Sequence, residues 1–180
     1  MGHTSADDGR EVFDAVLSAP LDGGDFCLRH ARDDDVEAVV ALVDDEMRER
    51  LQLPAVVDAA MIAPMILHGG ALLIVERSSD APLGGIRLFL HGDAVELGYW
   101  LGPGARGRGL VTRALGLAAD AVVERLRPSR LELRITRGND PSERVAERAG
   151  FHLVGSELPI EYPAGRVLHT TLWVRDVPPG

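Results

Sequence analysis

Between an apolar run and an amphipathic helix, the chain carries the stretch Gly102-Pro103-Gly104-Ala105-Arg106-Gly107-Arg108-Gly109-Leu110-Val111. The first-turn N–H groups of a helix have no partner within the helix, and the helix dipole is positive at that end. Glycines let a backbone approach a ligand closely, and arginine guanidinium groups suit phosphate oxygens. The stretch therefore predicts an anion-binding loop that leads into a helix.

The same loop also fits the dinucleotide-binding pattern G-x-G-x-x-G over Gly102–Gly107. An NAD(P)-binding fold would place that pattern after the first strand of a βαβ unit, with an acid at the tip of the next strand. Here the strand before the loop is the third of a predicted meander, and the next strand ends at Ile135-Thr136-Arg137 without an acid. An NAD(P)-dependent oxidoreductase is therefore disfavoured but stays an alternative. A third interpretation is structural, with turn-forming glycines and arginines as surface charges.

The hydrophobic periodicity predicts the order strand, two helices, three strands, helix, strand, helix, two strands. A strand–helix–strand crossover within a largely antiparallel set predicts an α/β fold with a mixed sheet. The predicted segments are strand 26–30, helix 36–50, helix 57–67, strands 71–76, 83–90 and 95–101, a helix ending before Pro128, strand 131–135, a helix ending at Gly150, and strands 151–157 and 167–174. Residues 1–23 are predicted to form a flexible arm before a single domain over 24–176.

The charge is distributed unevenly. All 19 basic residues are arginine, which fits a bacterial protein from a GC-rich genome, and the net charge is −9. Residues 1–50 hold 14 acids against five arginines. Nucleic-acid binding is therefore disfavoured, whereas a cationic acceptor would be attracted weakly. A solvated acidic face is the simpler interpretation of that charge.

The single cysteine, Cys27, excludes an internal disulfide and a cysteine-cluster metal site, and no metal is expected. No apolar run reaches the roughly 20 residues that span a bilayer. The first 20 residues lack the basic and apolar regions of a signal peptide. A cytoplasmic protein without a membrane partner is the prediction.

A second polar helix start follows the next predicted strand. Asn139-Asp140-Pro141-Ser142 has the residue types of a helix N-terminus, with proline at the first helical position. Because the carboxyl ends of neighbouring parallel strands lie at one edge of a sheet, this start and the glycine–arginine loop are predicted to flank one cleft.

Together these stretches resemble the GNAT superfamily of acyl-CoA-dependent N-acyltransferases, and most closely its RimJ/RimL-type branch. Residues 95–114 contain the family pattern [QR]-x-x-G-x-[GA], with Arg106, Gly109 and Val111 at its fixed places. Val111 stands where the pattern has a small residue. Residues 139–151 are similar to the N-x-x-S helix and following Gly-Phe of the branch.

The resemblance implies the GNAT fold and an enzyme that transfers an acetyl group from acetyl-CoA to a primary amine, on a peptide or protein N-terminus or on a small molecule. Homodimers are common in the family. The implied contact to pantetheine comes from the backbone of Tyr99, Trp100 and Leu101 and from the Asn139 side chain. The implied pyrophosphate donors are the backbone N–H groups of Arg106, Gly107, Arg108, Gly109, Leu110, Val111 and Thr112.

Acylation of an amine requires a base, donors for the oxyanion and an acid for the leaving thiolate. Glu96 is the candidate base, directly or through water, and a strand-surface residue is its alternative interpretation. Ser142 is the candidate acid or sulfur partner, and helix capping is its alternative. Tyr162 is another candidate acid, and a backbone N–H near Leu101 is a candidate donor to the thioester carbonyl. A non-catalytic acyl-CoA-binding module also remains open.

Overall fold

In the computed structural model, which describes residues 16–68, 71–162 and 166–178, the alternating apolar runs form one sheet. Its eight strands lie in the order β1-β2-β3-β4-β5-β6-β8-β7. Within the described ranges, β5 and β6 form the one parallel pair, and every other neighbouring pair is antiparallel. This arrangement confirms the predicted mixed α/β sheet with a parallel crossover. The strands are β1 Leu21–Asp22, β2 Phe26–His30, β3 Ala71–Glu76, β4 Pro82–His91, β5 Ala94–Leu101, β6 Arg130–Thr136, β7 His152–Tyr162 and β8 Arg166–Asp176.

The principal α-helices of the described chain are α1 Val36–Ala41, α2 Asp45–Leu51, α3 Ala59–Ala63, α4 Leu110–Leu126 and α5 Asp140–Arg148, and short 3-10 helices lie at Asp33–Asp35 and Pro103–Ala105. A π-helical turn, Pro64–His68, extends α3. The prediction of one helix from Val36 to Arg50 is wrong, because Asp44 starts a new helix by accepting the Met47 N–H at 2.9 Å. None of the described helices is long and apolar enough to cross a membrane.

Two apolar clusters cover opposite faces of the sheet. On the face that we call the α4 face, α4 and α5 bury residues such as Ala114, Leu115 and Ala146 against the strands. On the other face, called the α1 face, α1, α3 and the π-helical turn cover Ala71, Leu73 and Val75 of β3. Side chains alternate along a strand, so Val95, Leu97, Tyr99 and Leu101 of β5 point to the α4 face. Glu96, Gly98 and Trp100 belong to the α1 face.

Part of the predicted N-terminal arm belongs to the folded body. Residues 1–15 lie outside the described residues. Val16 and Leu17 are buried in the cluster on the α4 face, and Leu21–Asp22 pairs with β2 as the first strand. The packed structure therefore begins before the boundary at residue 24 that the composition suggested, because isolated apolar residues in a polar segment can still anchor it.

Candidate active site

The parallel pair opens into a cleft. β5 and β6 are joined in register only at Val95↔Leu131 and Glu96↔Glu132. β5 nevertheless continues to Leu101 and β6 to Thr136, where β6 stays paired with β8 along its other edge. The backbone of Leu97–Leu101 therefore has a free edge toward β6, and a ligand in the cleft between these strand ends can pair with it as an additional strand would.

The helix start beside this cleft is built to receive an anion. Gly107 and Gly109 have φ values of 73° and 68°, which favour glycine, and both positions are open to space. Gly109 is the N-cap of α4 and has no side chain to cap the first-turn N–H groups. The Arg106 N–H, by contrast, already donates to the Pro103 carbonyl at 3.4 Å. The available backbone donors are therefore those that follow Arg106.

The Arg106 guanidinium is held by carboxylates. Nη1 lies 2.7 Å from Asp44 Oδ2 and 2.8 Å from Glu46 Oε2, while Nη2 donates to Asp44 Oδ1 at 3.0 Å and to the Leu101 carbonyl at 3.2 Å. The hydrogen bond from Arg106 lowers the pKa of Asp44 to about 2, despite the opposing effect of desolvation. This side chain ties the loop to Asp44 and Glu46, which lie 62 and 60 residues earlier in the chain, and both Nη atoms already donate to protein acceptors.

Arg108 is the arginine left for phosphate. Its guanidinium makes no hydrogen bond to another described residue and interacts only electrostatically with Asp25. It lines a cavity of about 310 Å³ together with Leu83 and Leu110. A second, more open cavity of about 690 Å³ begins at Thr112 and Arg113 on the other side of the helix start. The loop therefore has open space on both sides.

The second helix start closes the other side of the cleft. Asn139 is the N-cap of α5, and its Oδ1 accepts the Ser142 N–H at 3.4 Å. The Tyr99 hydroxyl donates to the Ser142 carbonyl at 3.1 Å and thus links β5 to α5 across the opening. Burial raises the pKa of Tyr99, so this hydroxyl keeps its proton. The Ser142 hydroxyl has no partner among the described residues and is partly exposed.

Glu96 is the last residue of β5 that pairs with β6, and it lies on the α1 face. Its Oε2 accepts from Arg134 Nε at 3.0 Å and contacts His91 Nε2 at 3.1 Å. Its Oε1 has no hydrogen-bond partner within the described chain. Glu96 and Ser142 therefore stand on opposite faces of the sheet with the cleft between them.

Sequence reasoning missed several residues at the cleft. The α2 region contains no recognisable sequence motif, yet two of its residues, Asp44 and Glu46, bind Arg106. Arg50 of the same region was missed as well. Arg50 pairs with Glu46 at 2.9 Å and is close enough to the Tyr99 hydroxyl to affect its electrostatics. Tyr162 lies beyond the predicted strand 151–157 and ends the longer strand β7. Its side chain lies outside the described part of the structure.

The chain matches the family model described as an acetyltransferase (GNAT) domain over residues 25–152, and it belongs to that family. The family is the one that the resemblance indicated. One curated relative, the probable N-acetyltransferase YjcK from Bacillus subtilis (strain 168), is 34% identical over 86 residues. That match covers 46% of this chain and 48% of the relative, so the chain spans about half the length of the relative it matches.

Solved structures share the fold over most of the chain. An acetyltransferase of the GNAT family from Bacillus anthracis has a TM-score of 0.78 at 15% identity and covers 88% of this chain and 98% of its own. RimL, a ribosomal L7/L12 alpha-N-protein acetyltransferase solved in complex with coenzyme A, has a TM-score of 0.74 at 20% identity with the same coverage. These similarities confirm the predicted GNAT fold and match the RimJ/RimL-type resemblance at the level of the fold. Nothing supports the NAD(P)-binding alternative.

Proposed function

We propose that this protein transfers the acetyl group of acetyl-CoA to a primary amine. The observation that carries the proposal is the cleft at the parallel pair, with a free strand edge on one side and two helix starts at its mouth. An acyl-CoA has an amide-bearing pantetheine arm and a pyrophosphate, and these are the groups that a free strand edge and an uncapped helix start bind.

The proposed cofactor contacts follow from the free donors. The backbone edge at Tyr99, Trp100 and Leu101 pairs with the pantetheine amides, and the Asn139 side-chain amide bonds to the same arm. The backbone N–H groups from Gly107 to Thr112 hold the pyrophosphate, and the Arg108 guanidinium supplies the permanent positive charge. Arg106 contributes by fixing the loop against α2.

The proposed mechanism is direct attack of the amine on the thioester. The amine approaches from the α1 face and loses a proton to Glu96, through the unpartnered Oε1 or an intervening water. The nitrogen–carbon bond forms and the carbon–sulfur bond breaks. The departing thiolate accepts a hydrogen bond from the Ser142 hydroxyl on the α4 face, which passes it a proton while taking one from solvent. A backbone N–H on the free edge near Leu101 stabilises the oxyanion.

The acceptor is proposed to be a peptide or protein N-terminus or a small-molecule amine. RimL, which shares the fold, is described as an alpha-N-protein acetyltransferase of ribosomal L7/L12. We also propose that the protein is bacterial and cytoplasmic and works as a homodimer. The resemblance to the family supports these three properties.

An amine-acceptor screen tests this function. The protein is incubated with acetyl-CoA and a panel of amino acids, N-terminal peptides and polyamines, and release of free thiol is recorded. We expect thiol release that depends on the acceptor, together with a thermal shift caused by acetyl-CoA. Stabilisation by NADPH alone would contradict the proposal, and coenzyme A binding without transfer to any amine would favour the non-catalytic module.

A further inference from the structure

Arg87 of β4 is a cation on the α1 face that has no anionic partner among the described residues. It is half-buried, and within the same residues its Nε is buried without a hydrogen-bond partner. Its guanidinium carbon lies 4.9 Å from the centre of the Phe89 ring, which is its only interaction within the described chain. Burial lowers the pKa of Arg87 but leaves an arginine charged at neutral pH.

The surrounding charges make this position unusual. On the same face, Glu96 is bound by Arg134 at 3.0 Å, and Glu132 is bound by Arg130 at 2.7 Å. Each of these carboxylates is thus already paired with an arginine. A buried N–H without an acceptor is unfavourable in general, and proteins normally pair such groups. A ligand that brings its own anion would supply the missing partner.

Arg87 also stands where an acceptor would arrive. It is in register with Gly98 of β5, and Gly98 lies on the edge of the cleft between Glu96 and Trp100. The Phe89 ring lies 3.6 Å from the position that a Cβ on Gly98 would take, so it sits over this glycine. The phosphate loop and α4 approach the cleft from the α4 face. A thioester reaching through the cleft therefore meets, on the other side, the face that carries Arg87 and Glu96.

We propose that Arg87 selects acceptors that carry a carboxylate near the reacting amine, by pairing with that carboxylate while the amine lies toward Glu96. This inference rests on the proposed acetyl transfer. The carboxylate can come from a free amino acid or from an acidic side chain near a peptide N-terminus. Both sources present the same planar oxygen pair, which an arginine binds with two hydrogen bonds.

Matched acceptors measure the preference. One arm compares each of several L-amino acids, which carry small, apolar or basic side chains, with the corresponding amino acid amide. The other compares peptides that carry Asp or Asn after the first residue and an amidated C-terminus. Because a hydrogen bond to a charged group contributes about 1.5–3 kcal/mol, we expect kcat/KM to be at least tenfold higher for the acid in one arm. That arm identifies the source of the carboxylate.

The variant series separates recognition from structure. Arg87→Met keeps the apolar stem against Phe89 and removes the charge, so the acid-over-amide ratio falls to about one while acetyl-CoA affinity stays unchanged. Arg87→Lys recovers part of the ratio, and Arg125→Met, at an exposed arginine of α4, leaves it intact. A ratio near one in the wild type, or an equal loss of kcat/KM for acid and amide in Arg87→Met, overturns the proposal.

A binding measurement tests the role of Arg87 separately from the proposed acetyl transfer. The N-acetylated acid and N-acetylated amide products are titrated into the coenzyme A-loaded protein by calorimetry. Tighter binding of the acid that disappears in Arg87→Met supports the anion site even if no amine is acetylated. Equal binding of both products, or binding of neither, overturns the proposed role of Arg87. If amines are acetylated without any preference for acids, the proposed acetyl transfer is supported but the role of Arg87 in recognition is not.

Discussion

Glu96 combines two properties that shape its proposed role. One carboxylate oxygen is held by Arg134 and His91, which fixes the orientation of the side chain. The other oxygen has no hydrogen-bond partner among the described residues, so it can receive a proton directly or through a bridging water.

Replacing Glu96 by Gln tests the base. We expect kcat to fall about 10²- to 10⁴-fold, the usual contribution of a positioned general base, with the affinity for acetyl-CoA unchanged. Pre-steady-state kinetics and the pH dependence of kcat measure the loss, and Glu147→Gln on the exposed side of α5 is the matched control. Turnover of Glu96→Gln at the wild-type rate would remove the residue from catalysis.

The two loop arginines are expected to differ in what they do for the cofactor. Arg108→Gln should raise the Kd for acetyl-CoA about tenfold or more and flatten its dependence on salt, since a charge-assisted contact to phosphate is lost. Arg106→Gln should lower the melting temperature while leaving the salt dependence of Kd as in the wild type. Isothermal titration at several salt concentrations distinguishes them, and a flattened salt dependence in Arg106→Gln would mean that its guanidinium reaches the phosphate.

Arg87 shows what a sequence can reveal at single positions. It is the one charged residue within the otherwise apolar run Leu83–Leu90, a pattern that can be read without a structure. The glycine–arginine loop and the Asn139 helix start were likewise predictable, because their chemistry is local. The partners of Arg106 were not, since Asp44 is 62 positions away and only the tertiary fold brings it there.

At the scale of elements, α2 is a short helix whose beginning is fixed by one carboxylate with two functions. Asp44 caps the helix through the Met47 N–H and also binds Arg106. This double use explains why the periodic run that starts at Val36 breaks into two helices. The apolar spacing predicted the helical residues, but hydrophobic periodicity does not report where a capping side chain restarts the helix.

Asp44→Asn isolates the ion pair, because asparagine is also a good N-cap. The folded-state pKa of Asp44 is about 2, lowered by the hydrogen bond from Arg106, whereas the ordinary pKa of an aspartate is 3.8. A lowered pKa stabilises the fold above the unfolded-state value, and this contribution is lost as the pH falls from about 4 toward 2. The melting temperature of the wild type should exceed that of Asp44→Asn at neutral pH, with the gap shrinking below pH 4.

Thermal unfolding between pH 7 and pH 3 measures that gap. Asp58→Asn is the control, because Asp58 caps α3 through the Met61 N–H in the same way and has no arginine partner in the described chain. A gap for Asp44→Asn that does not change with pH would contradict the ion-pair explanation.

For the whole molecule, the sheet consists of two parts that meet at β5 and β6. The strand succession predicted a mixed sheet with one crossover, and this is observed. The cleft itself was not predictable, because register and the separation of two strands depend on what packs beneath them. The order β6-β8-β7, which leaves β6 paired along its far edge, also depends on tertiary packing.

Bound acetyl-CoA should connect the two parts of the sheet, because pantetheine would pair with the free edge of β5. In hydrogen exchange, the amides of Leu97–Leu101 that point away from β4 should become protected, while those of β2 and β3 stay the same. At a ligand concentration of 100 times Kd, stability should rise by about 2.7 kcal/mol, seen as a higher melting temperature. NADPH at equal concentration is the control, and protection elsewhere but not at Leu97–Leu101 would contradict the proposed position of pantetheine.

The free edge of β5 should also affect how readily the protein aggregates when acetyl-CoA is scarce. Unpaired backbone groups on a strand attract strands from other chains and so promote aggregation. A loaded molecule covers that edge with its own substrate, whereas an empty one presents it to its neighbours. The amount of intact protein in a cell would then follow the supply of acetyl-CoA, and purified samples would keep best in the presence of coenzyme A.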